Sequence, residues 1–536
     1  MGWLASQLAV SSVRYERCGL RRQRLPARHC SPNVARRRGS FCFYARIGDM
    51  PSARETVINI AKAVAERGGR ALLVGGSVRD DLLGLEPKDF DVEIYGIVPE
   101  DVEKLLREFG NVSDVGKAFA ILKLVVDDVD IDVAVPRKER KTGEGHKGFF
   151  VEADPNLDPK EAARRRDFTI NAIAQDPLTG EIVDPFGGVK DLGDGVLRVV
   201  DAVTFVEDPL RVLRAMQIVA RFNLTVDPAS FDVMKAMVPS LSEISSERVG
   251  DEWRKLLLLS EKPSMGLAFG MDVGAFALLH PELVKLAETP QEPEWHPEGN
   301  VWIHTMMVVD EAARIVRREK LDGDRALTIM LGALCHDFGK PYVTGIENGR
   351  IRSHGHEDAG VAPTRSFLDA LWVHASTVEE VVGIVRDHMK PYRLWHAECV
   401  DGVHVKDGVL RRLAARIDPA TLCDLVFVTE ADYCGRGPFT APQAPYAAGE
   451  WLLGRATSLD LLHGPAPHMI TGDELIDFGY SPGPLFSKII ALCDDLRDDH
   501  EYCHYNLVEV LKAVPPDSFG ERSPKDAIAR LKNELD

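Results

Sequence analysis

This chain predicts an α/β head with a mixed sheet, followed by an all-α neck and body and a second all-α region. Three observations carry that expectation. Short apolar runs closed by glycines alternate with amphipathic stretches as far as residue 135, the pattern of strands exchanged with helices. Helical periodicity dominates from residue 160 to the C-terminus. Histidines and acids then recur between residues 295 and 435.

Residues 54–67 read as an amphipathic helix stopped by Gly68-Gly69, and Ala71–Val74 as a buried strand closed by Gly75-Gly76. Ser77 is placed to cap a helix from Val78 to Leu83 that ends at Gly84, as a hydroxyl serves the free N–H groups of a first turn. Residues 89–95 alternate as a strand, Glu100–Phe109 reads as a helix, and strands are expected near 119–126 and 130–135 around an acidic turn. Asp167 is a candidate cap for a helix over 168–175. Proline-rich stretches at 290–297 and 438–445 suggest boundaries or long loops.

The 536 residues, 45% hydrophobic, suffice for roughly three or four domains. No apolar run approaches the ~18 residues of a membrane span. Charge is uneven. Residues 1–50 hold ten Arg, no Lys and two acids, so they carry +8 of a total −18 and leave −26 on the rest. An acidic bulk argues against broad non-specific nucleic-acid binding but not against a local basic groove or a metal-bridged substrate. The nine cysteines are scattered without a CxxC pair, which predicts free thiols in a reducing compartment. The Arg-rich, acid-poor start fits an organelle transit segment, a disordered tail, or a start codon set ahead of a globular N-terminus at Met50.

Chemistry concentrates first at Lys88-Asp-Phe-Asp-Val-Glu93. Side chains two apart on a strand share a face, so Asp89 and Asp91 point the same way, about 7 Å apart along the strand. Two such carboxylates can share a hard divalent cation such as Mg²⁺. Two-metal phosphoryl transfer needs a third acid on a neighbouring strand. Asp132 fits, with Asp130 on the same face and Glu93 in phase with Asp91 as competitors. An Asp-x-Asp pair alone is usually a solvated strand face. Here the turn Gly75-Gly76 and a helix start precede it by about a dozen residues, and glycines with exposed N–H groups let phosphate approach the backbone.

Val74-Gly-Gly-Ser-Val-Arg-Asp80, Lys88-Asp-Phe-Asp91, Arg165-Arg-Asp-Phe-Thr-Ile-Asn-Ala172 and Glu207-Asp-Pro-Leu-Arg-Val-Leu-Arg214 resemble, in order, the class II tRNA nucleotidyltransferases. These are the CCA-adding enzymes and related bacterial poly(A) polymerases of the polymerase β superfamily. The resemblance implies a polymerase β-like head in which Gly75, Gly76 and Arg79 border the triphosphate and Asp89 and Asp91 bind metal, with Asp132 the candidate third catalytic acid. It implies that Arg166 and Asp167 contact sugar and triphosphate, assisted by Arg214, with Asn171 in the same polar set. It implies that Asp208 and Arg211 pair with the base edge of incoming CTP or ATP. Asp208, Arg211 and Arg214 step by three and so share a helix face. C and A both place an exocyclic amine beside a ring-nitrogen acceptor, so one Asp–Arg pair can serve both. Asp184-Pro-Phe-Gly-Gly188 with Asp191-Leu192 reads as a structural turn without chemistry.

His296, His304, His336-Asp337, His354, His356, His388 and Asp432 form a second set. Metal sites need imidazoles and carboxylates converging from several elements. Their order, with Gly339-Lys340 after His336-Asp337, resembles the HD phosphohydrolase superfamily. By that resemblance His304, His336, Asp337 and Asp432 hold a first metal, and His356 and His388 a second, with His354 competing for the place of His356. The divalent metal itself is not specified by such ligands. Head plus HD region, with Trp295-His-Pro-Glu298 and Glu430-Ala-Asp-x-x-Gly-Arg436, resembles the Gram-negative bacterial CCA-adding enzymes. Past residue 440 the chain departs from that subgroup, and Gly479-Tyr-Ser-Pro-Gly-Pro484 resembles a tail found elsewhere in the wider family.

The expected organisation is an extension over 1–50, a nucleotidyltransferase head over 51–180, a helical nucleotide- and RNA-binding neck and body over 181–290, an HD domain over 291–440 and a helical tail over 441–536. The expected activity is CCA addition to tRNA from CTP and ATP, with HD phosphohydrolase activity on phosphate ends. Poly(A) addition, or a working HD hydrolase behind an inactive head, are the alternatives. The expected compartment is the cytoplasm, or a mitochondrion or plastid if residues 1–49 are a transit segment. No membrane association is expected, and oligomeric state is not legible in the pattern.

Overall fold

The computed structural model describes residues 52–87, 89–114, 121–126, 129–141, 149–437, 445–500 and 503–513. The N-terminal extension, Lys88, the start of the strand expected at 119, the acidic turn at 127–128, most of the 438–445 stretch and the end of the tail lie outside the described residues.

The head begins with helix α1 (Ala53–Glu66), started by a capping box between Ser52 and Glu55. Its buried face is Val57, Ile60, Ala61 and Val64, the spacing that puts one stripe toward a core. Strand β1 (Arg70–Val74) follows, then α2 (Gly76–Leu82), β2 (Phe90–Tyr95), α3 (Pro99–Leu106), β3 (Val112–Asp114), β4 (Ile121–Val126) and β5 (Val129–Ala134). A charged hairpin, β6 (Arg137–Lys141) with β7 (Phe149–Ala153), leads to β8 (Ala174–Gln175) and β9 (Ile182–Val183). The main sheet runs β3-β4-β5-β2-β1-β8-β9. Only β2 and β5 pair in parallel, so the sheet is mixed.

Register positions the site. Val74, the last residue of β1, pairs with Asp91, and Asp91 pairs with Asp132. The turn after β1 and two carboxylates are therefore aligned across three adjacent central strands. Inward-facing Ile94, Leu124, Ile131 and Val133 join the α1 stripe in the head core.

Three local expectations need correction. The strand starts at Phe90, with Asp89 in a bend before it. Ser77 does not cap α2: Gly75 occupies the cap position, and the Ser77 hydroxyl donates to the Val74 carbonyl at 3.2 Å. No helix spans 168–175. Thr169–Asn171 form one 3₁₀ turn and the chain then enters β8. Phe168, Ile170 and Ile173 are all fully buried, a burial that one helix face cannot give, and pairing with β1 overrides local helix preference.

From Leu210 onward the fold is mainly helical, interrupted by the short strand Thr225–Val226 and a hairpin of Gly345–Glu347 with Arg350–Arg352. The helix Leu210–Phe222 packs against Ser246–Leu259 and Pro263–Val273. The HD region is built on Val301–Glu319, Gly323–Cys335, Ala375–Asp387 and Leu422–Cys434. One apolar core runs through neck, body and HD region, separate from the head core. A third, around Ile470, Leu475, Ile489 and Leu507, organises the tail. No helix of the described residues is long and apolar enough to cross a membrane.

Candidate active sites

Gly75 turns the chain with φ +76, a conformation that side chains with a Cβ rarely adopt. A Cβ there would stand 2.8 Å from Arg166 Nη1 and 3.1 Å from Asp91 Oδ2. Glycine turn, arginine and carboxylate thus meet at one point. Gly76 opens α2, so the backbone N–H groups of its first turn lie beside them.

Asp91 stands open at the sheet edge, yet the walls around it strip water from its carboxyl and hold its pKa above the ordinary value. Arg166 opposes that rise, while Asp132, Asp89 and Glu93 reinforce it. Mutual repulsion among acids is what a divalent cation relieves. Asp132, half-buried, is raised by the same loss of water, with Lys123 opposing and Asp130 and Asp89 adding to it. The competitors are otherwise engaged. Asp130 lies 2.5 Å from Lys123 Nζ. Glu93 is buried, accepts from Arg166 Nη2 at 3.0 Å and Tyr95 Oη at 2.9 Å, and is held below its ordinary pKa because those partners overcome its desolvation.

A buried polar chain runs behind this edge. Arg79 donates to Asn171 Oδ1 at 2.6 Å and to Asp80, and its guanidinium lies 4.2 Å from the Phe222 ring centre. Asn171 Nδ2 donates to Asp167 Oδ1 at 3.0 Å, and Arg214 Nε donates to Asp167 Oδ2 at 2.8 Å. Burial pushes the Asp167 carboxyl up, but Arg214, Asn171 and the Phe168 N–H overcome it and hold it low. Asp167 is therefore a tie between the head and the helix Leu210–Phe222, not a helix cap.

Asp208 lies just before that helix rather than on its face. Arg211 and Asp208 do not bond each other through their side chains. Arg211 donates to the carbonyls of Thr204 at 2.8 Å and Arg165 at 2.7 Å, which fixes its plane. Asp208 accepts from Arg248 Nη2 at 3.1 and 3.3 Å. Arg248 was not anticipated, because nothing local joins positions 40 residues apart. Asp184 accepts from the N–H groups of Gly188 and Val189 at 2.7 and 3.0 Å, which makes the 184–188 segment a structural turn.

The HD set converges. His304, His336, Asp337, His356, His388 and Asp432 are all buried and come from five segments. His336 Nε2 lies 3.3 Å from His304 Nε2 and 3.2 Å from Asp337 Oδ2. His304 Nε2 lies 3.2 Å from Asp432 Oδ1. His356 Nε2 lies 3.1 Å from His388 Nε2 and 3.5 Å from Asp337 Oδ1. Asp337 therefore stands between two groups, His304/His336 and His356/His388. His354 is exposed beside Glu347, outside both.

The donor chemistry fits divalent metal. Nδ1 of His336, His356 and His388 lies 2.8, 2.8 and 2.6 Å from the carbonyls of Ala333, Ser353 and Val385. A carbonyl only accepts, so in each neutral ring Nδ1 carries the proton and Nε2 offers a lone pair. Facing lone pairs at such distances call for an electron-poor centre between them. Asp337 Oδ2 makes no aligned hydrogen bond, although Lys340 Nζ is 2.7 Å away. Burial, then His356 and His336, push the His388 imidazole down, which keeps it neutral. Nothing in the local sequence gives Glu298 or Arg436 a role. Their significance depends on which imidazole and which carboxylate they face, and only the fold shows that.

Gly339 follows this cluster closely. A Cβ there would stand 1.9 Å from His356 O and 2.6 Å from Gly360 N. Gly339→Ala is expected to displace His356 and cost ~1–3 kcal/mol, as overpacking against backbone does, read as a lowered midpoint in urea and reduced HD metal content.

Residues 71–198 match the Poly A polymerase head domain, 223–286 the probable RNA and SrmB-binding site of polymerase A, and 301–434 the HD domain. The multifunctional CCA protein of Xanthomonas campestris pv. campestris is 37% identical over 410 residues, 73% of this chain and 94% of that one. That of Stenotrophomonas maltophilia is 36% identical over 428 residues, 78% and 96% of the two chains. The chain belongs to the multifunctional CCA protein family. The fold agrees. The Bacillus stearothermophilus CCA-adding enzyme in complex with CTP superposes with a TM-score of 0.59 at 21% identity, covering 86% of this chain and 98% of that one. The Thermotoga maritima CCA-adding enzyme complexed with tRNA gives 0.51 at 18% identity, covering 90% and 95%. Membership makes this a nucleotidyltransferase with an HD phosphohydrolase domain, and the HD cluster a metal-binding one.

Proposed function

We propose that this protein completes tRNA 3′ ends by adding CCA from CTP and ATP without a nucleic-acid template, and that its HD centre first clears phosphate-blocked ends. The observation that carries the reading is the alignment of the Gly75 turn, Asp91 and Asp132 on adjacent strands, in a chain related over most of its length to multifunctional CCA proteins.

Asp89, Asp91 and Asp132 would hold two Mg²⁺ ions, oxygen donors being what a hard cation takes. Such ions, when bound, lower the charge cost of in-line phosphoryl displacement. The RNA 3′-oxygen forms a bond to the α-phosphorus, its proton leaves, and the bond to pyrophosphate breaks. Arg166, anchored by Glu93 beside Gly75, meets the triphosphate. Asp208 and Arg211 read the base edge. Arg211 is preorganised by two carbonyls, and Asp208 is oriented by Arg248.

The HD donors would hold a metal whose identity they leave open. When bound, it would supply an activated water that breaks the P–O3′ bond of a 2′,3′-cyclic phosphate, freeing the 3′-OH and leaving a 2′-phosphate, or that releases a terminal phosphate as inorganic phosphate. We read the compartment as the cytoplasm, and no disulfide joins the six described cysteines.

Single-nucleotide incubations test the reading. With tRNA lacking CCA, CTP alone gives two additions and ATP alone gives none. Runaway A-tails with ATP and no use of CTP would instead establish a poly(A) polymerase. Arg248→Ala is expected to lower kcat/KM for both nucleotides by about fivefold, the worth of a half-exposed ion pair of about 1 kcal/mol. Unchanged kcat/KM would remove Arg248 from the base-reading set.

A further inference from the structure

Among the HD histidines, His304 stands apart in how its second nitrogen is held. His336, His356 and His388 rest Nδ1 on the carbonyl three residues earlier. His304 Nδ1 faces a carboxylate instead, Glu298 Oε1, at 3.0 Å. The same oxygen lies 2.8 Å from His296 Nδ1. Glu298 Oε2 accepts the Gly437 N–H at 3.1 Å. The Glu298 carboxylate is 2% exposed; His296 Nδ1 and the Gly437 N–H hydrogen-bond it, and His304 Nδ1 lies against it without an aligned hydrogen bond.

The arrangement has two physical consequences. His304 Nε2 faces His336 Nε2 and Asp432 Oδ1, so as a metal ligand it would present its lone pair there and carry its proton on Nδ1. A carboxylate on Nδ1 selects that tautomer and stops the ring from turning. Glu298 also ties down the turn after the helix Leu422–Cys434. A Cβ on Gly437 would stand 3.0 Å from both Glu298 N and Glu298 Oε2, so the turn lies against this residue. Arg436, in that turn, donates from Nη2 to Asp432 Oδ1 and Oδ2 at 3.3 and 3.1 Å. One carboxylate thus sets both a histidine and the support of an acid at the same centre.

The atoms of His296, Glu298 and His304 are also close enough to hold an ion themselves. That would require His304 to bridge two ions as an imidazolate. Glu298 is already engaged by His296 Nδ1 and a backbone N–H, with His304 Nδ1 packed 3.0 Å from it, so the triad reads as an orienting one.

We propose that Glu298 is the positioning residue of the first HD metal: it holds His304 with Nε2 toward the ion and pins the Gly435–Gly437 turn that places Arg436 on Asp432. The inference rests on the reading of His304 as a ligand. Its test is Co²⁺ titration of the full-length protein in competition with a chelator, with the visible d–d spectrum and the melting temperature of the metal-free protein recorded alongside.

Glu298→Gln is expected to weaken Co²⁺ binding roughly 10–100-fold and to alter the spectrum while the metal-free protein melts as the parent does. Should the Gln variant not fold, Glu298→Asp keeps the charge but shortens the reach, and the same weakening is expected. In a His304→Asn background, Glu298→Gln is expected to add only a smaller loss, the part carried through Arg436 and Asp432. Parent-like Co²⁺ affinity and spectrum in a folded Glu298 variant would overturn the proposal, as would an undiminished loss in the His304→Asn background. Loss of one equivalent of Co²⁺ with the remaining affinity unchanged would also overturn it, in favour of an ion held by Glu298 itself. If His304→Asn alone leaves Co²⁺ binding intact, the ligand reading fails instead.

Discussion

Replacing Asp89 and Asp91 together by Asn is expected to lower nucleotide incorporation at least 10³-fold while leaving the fold and the HD reaction intact. The size follows from what the pair is asked to do. Metal stabilisation of a displacement at phosphorus supplies several kcal/mol, and ~4 kcal/mol is about 10³ in rate. The variants keep side-chain shape, and Asp91 stands at a solvent-open edge. Its carboxyl is raised by loss of water, with Asp132, Asp89 and Glu93 adding to the rise against Arg166, so removing charge there does not cost stability. Asp91→Asn alone is expected to carry most of the loss, because Asp91 sits in register between Val74 and Asp132 while Asp89 lies in the preceding bend. Radiolabelled CMP incorporation into tRNA lacking CCA measures it. A loss under tenfold in the double variant would remove the pair from catalysis.

The second large effect is expected from Asp337→Asn. Its Oδ2 faces His336 and its Oδ1 faces His356, so one substitution weakens both halves of the HD cluster. Phosphohydrolase activity should fall at least 10³-fold, by the same arithmetic. Stability should fall as well. Lys340 is 9% exposed, and its ammonium, 2.7 Å from Asp337 and from Gln291 Oε1, would lose its counter-charge. Breaking a buried ion pair costs on the order of 3 kcal/mol, visible as a lower midpoint in urea. CTP incorporation by the head, which has its own core, should persist. Loss of both activities in a folded variant would mean that the two centres are not separable.

How far the sequence went follows from the range over which each feature is determined. The head strands were legible because glycine turns and period-two burial are local, and the Gly75, Asp91 and Asp132 alignment needed only the register of three neighbouring strands. The HD histidines were legible because their order, with Gly339-Lys340 after His336-Asp337, resembles the HD superfamily. The strand Ala174–Gln175 was missed because its apolar spacing also suits a helix, and its pairing with Leu73 and Val74 comes from 100 residues away. Glu93 remained a rival metal ligand in the sequence because phase cannot reveal that Arg166 holds it. The choice of His356 over His354 turned on burial. Arg248 and Glu298 act by reaching across the fold to Asp208 and to His304.

Two separable centres in one chain are proposed to act in turn on the same RNA end. This is tested most directly on one tRNA, lacking CCA and ending in a 2′,3′-cyclic phosphate, incubated with CTP, ATP and divalent metal. The parent protein is expected to open the end and extend it by C, C and A. The Asp89→Asn/Asp91→Asn variant should open it without extension. Asp337→Asn should leave it blocked yet extend the same tRNA supplied with a free 3′-OH. Extension of the blocked tRNA by Asp337→Asn, or failure of the parent to use CTP before ATP on the free end, would contradict the account.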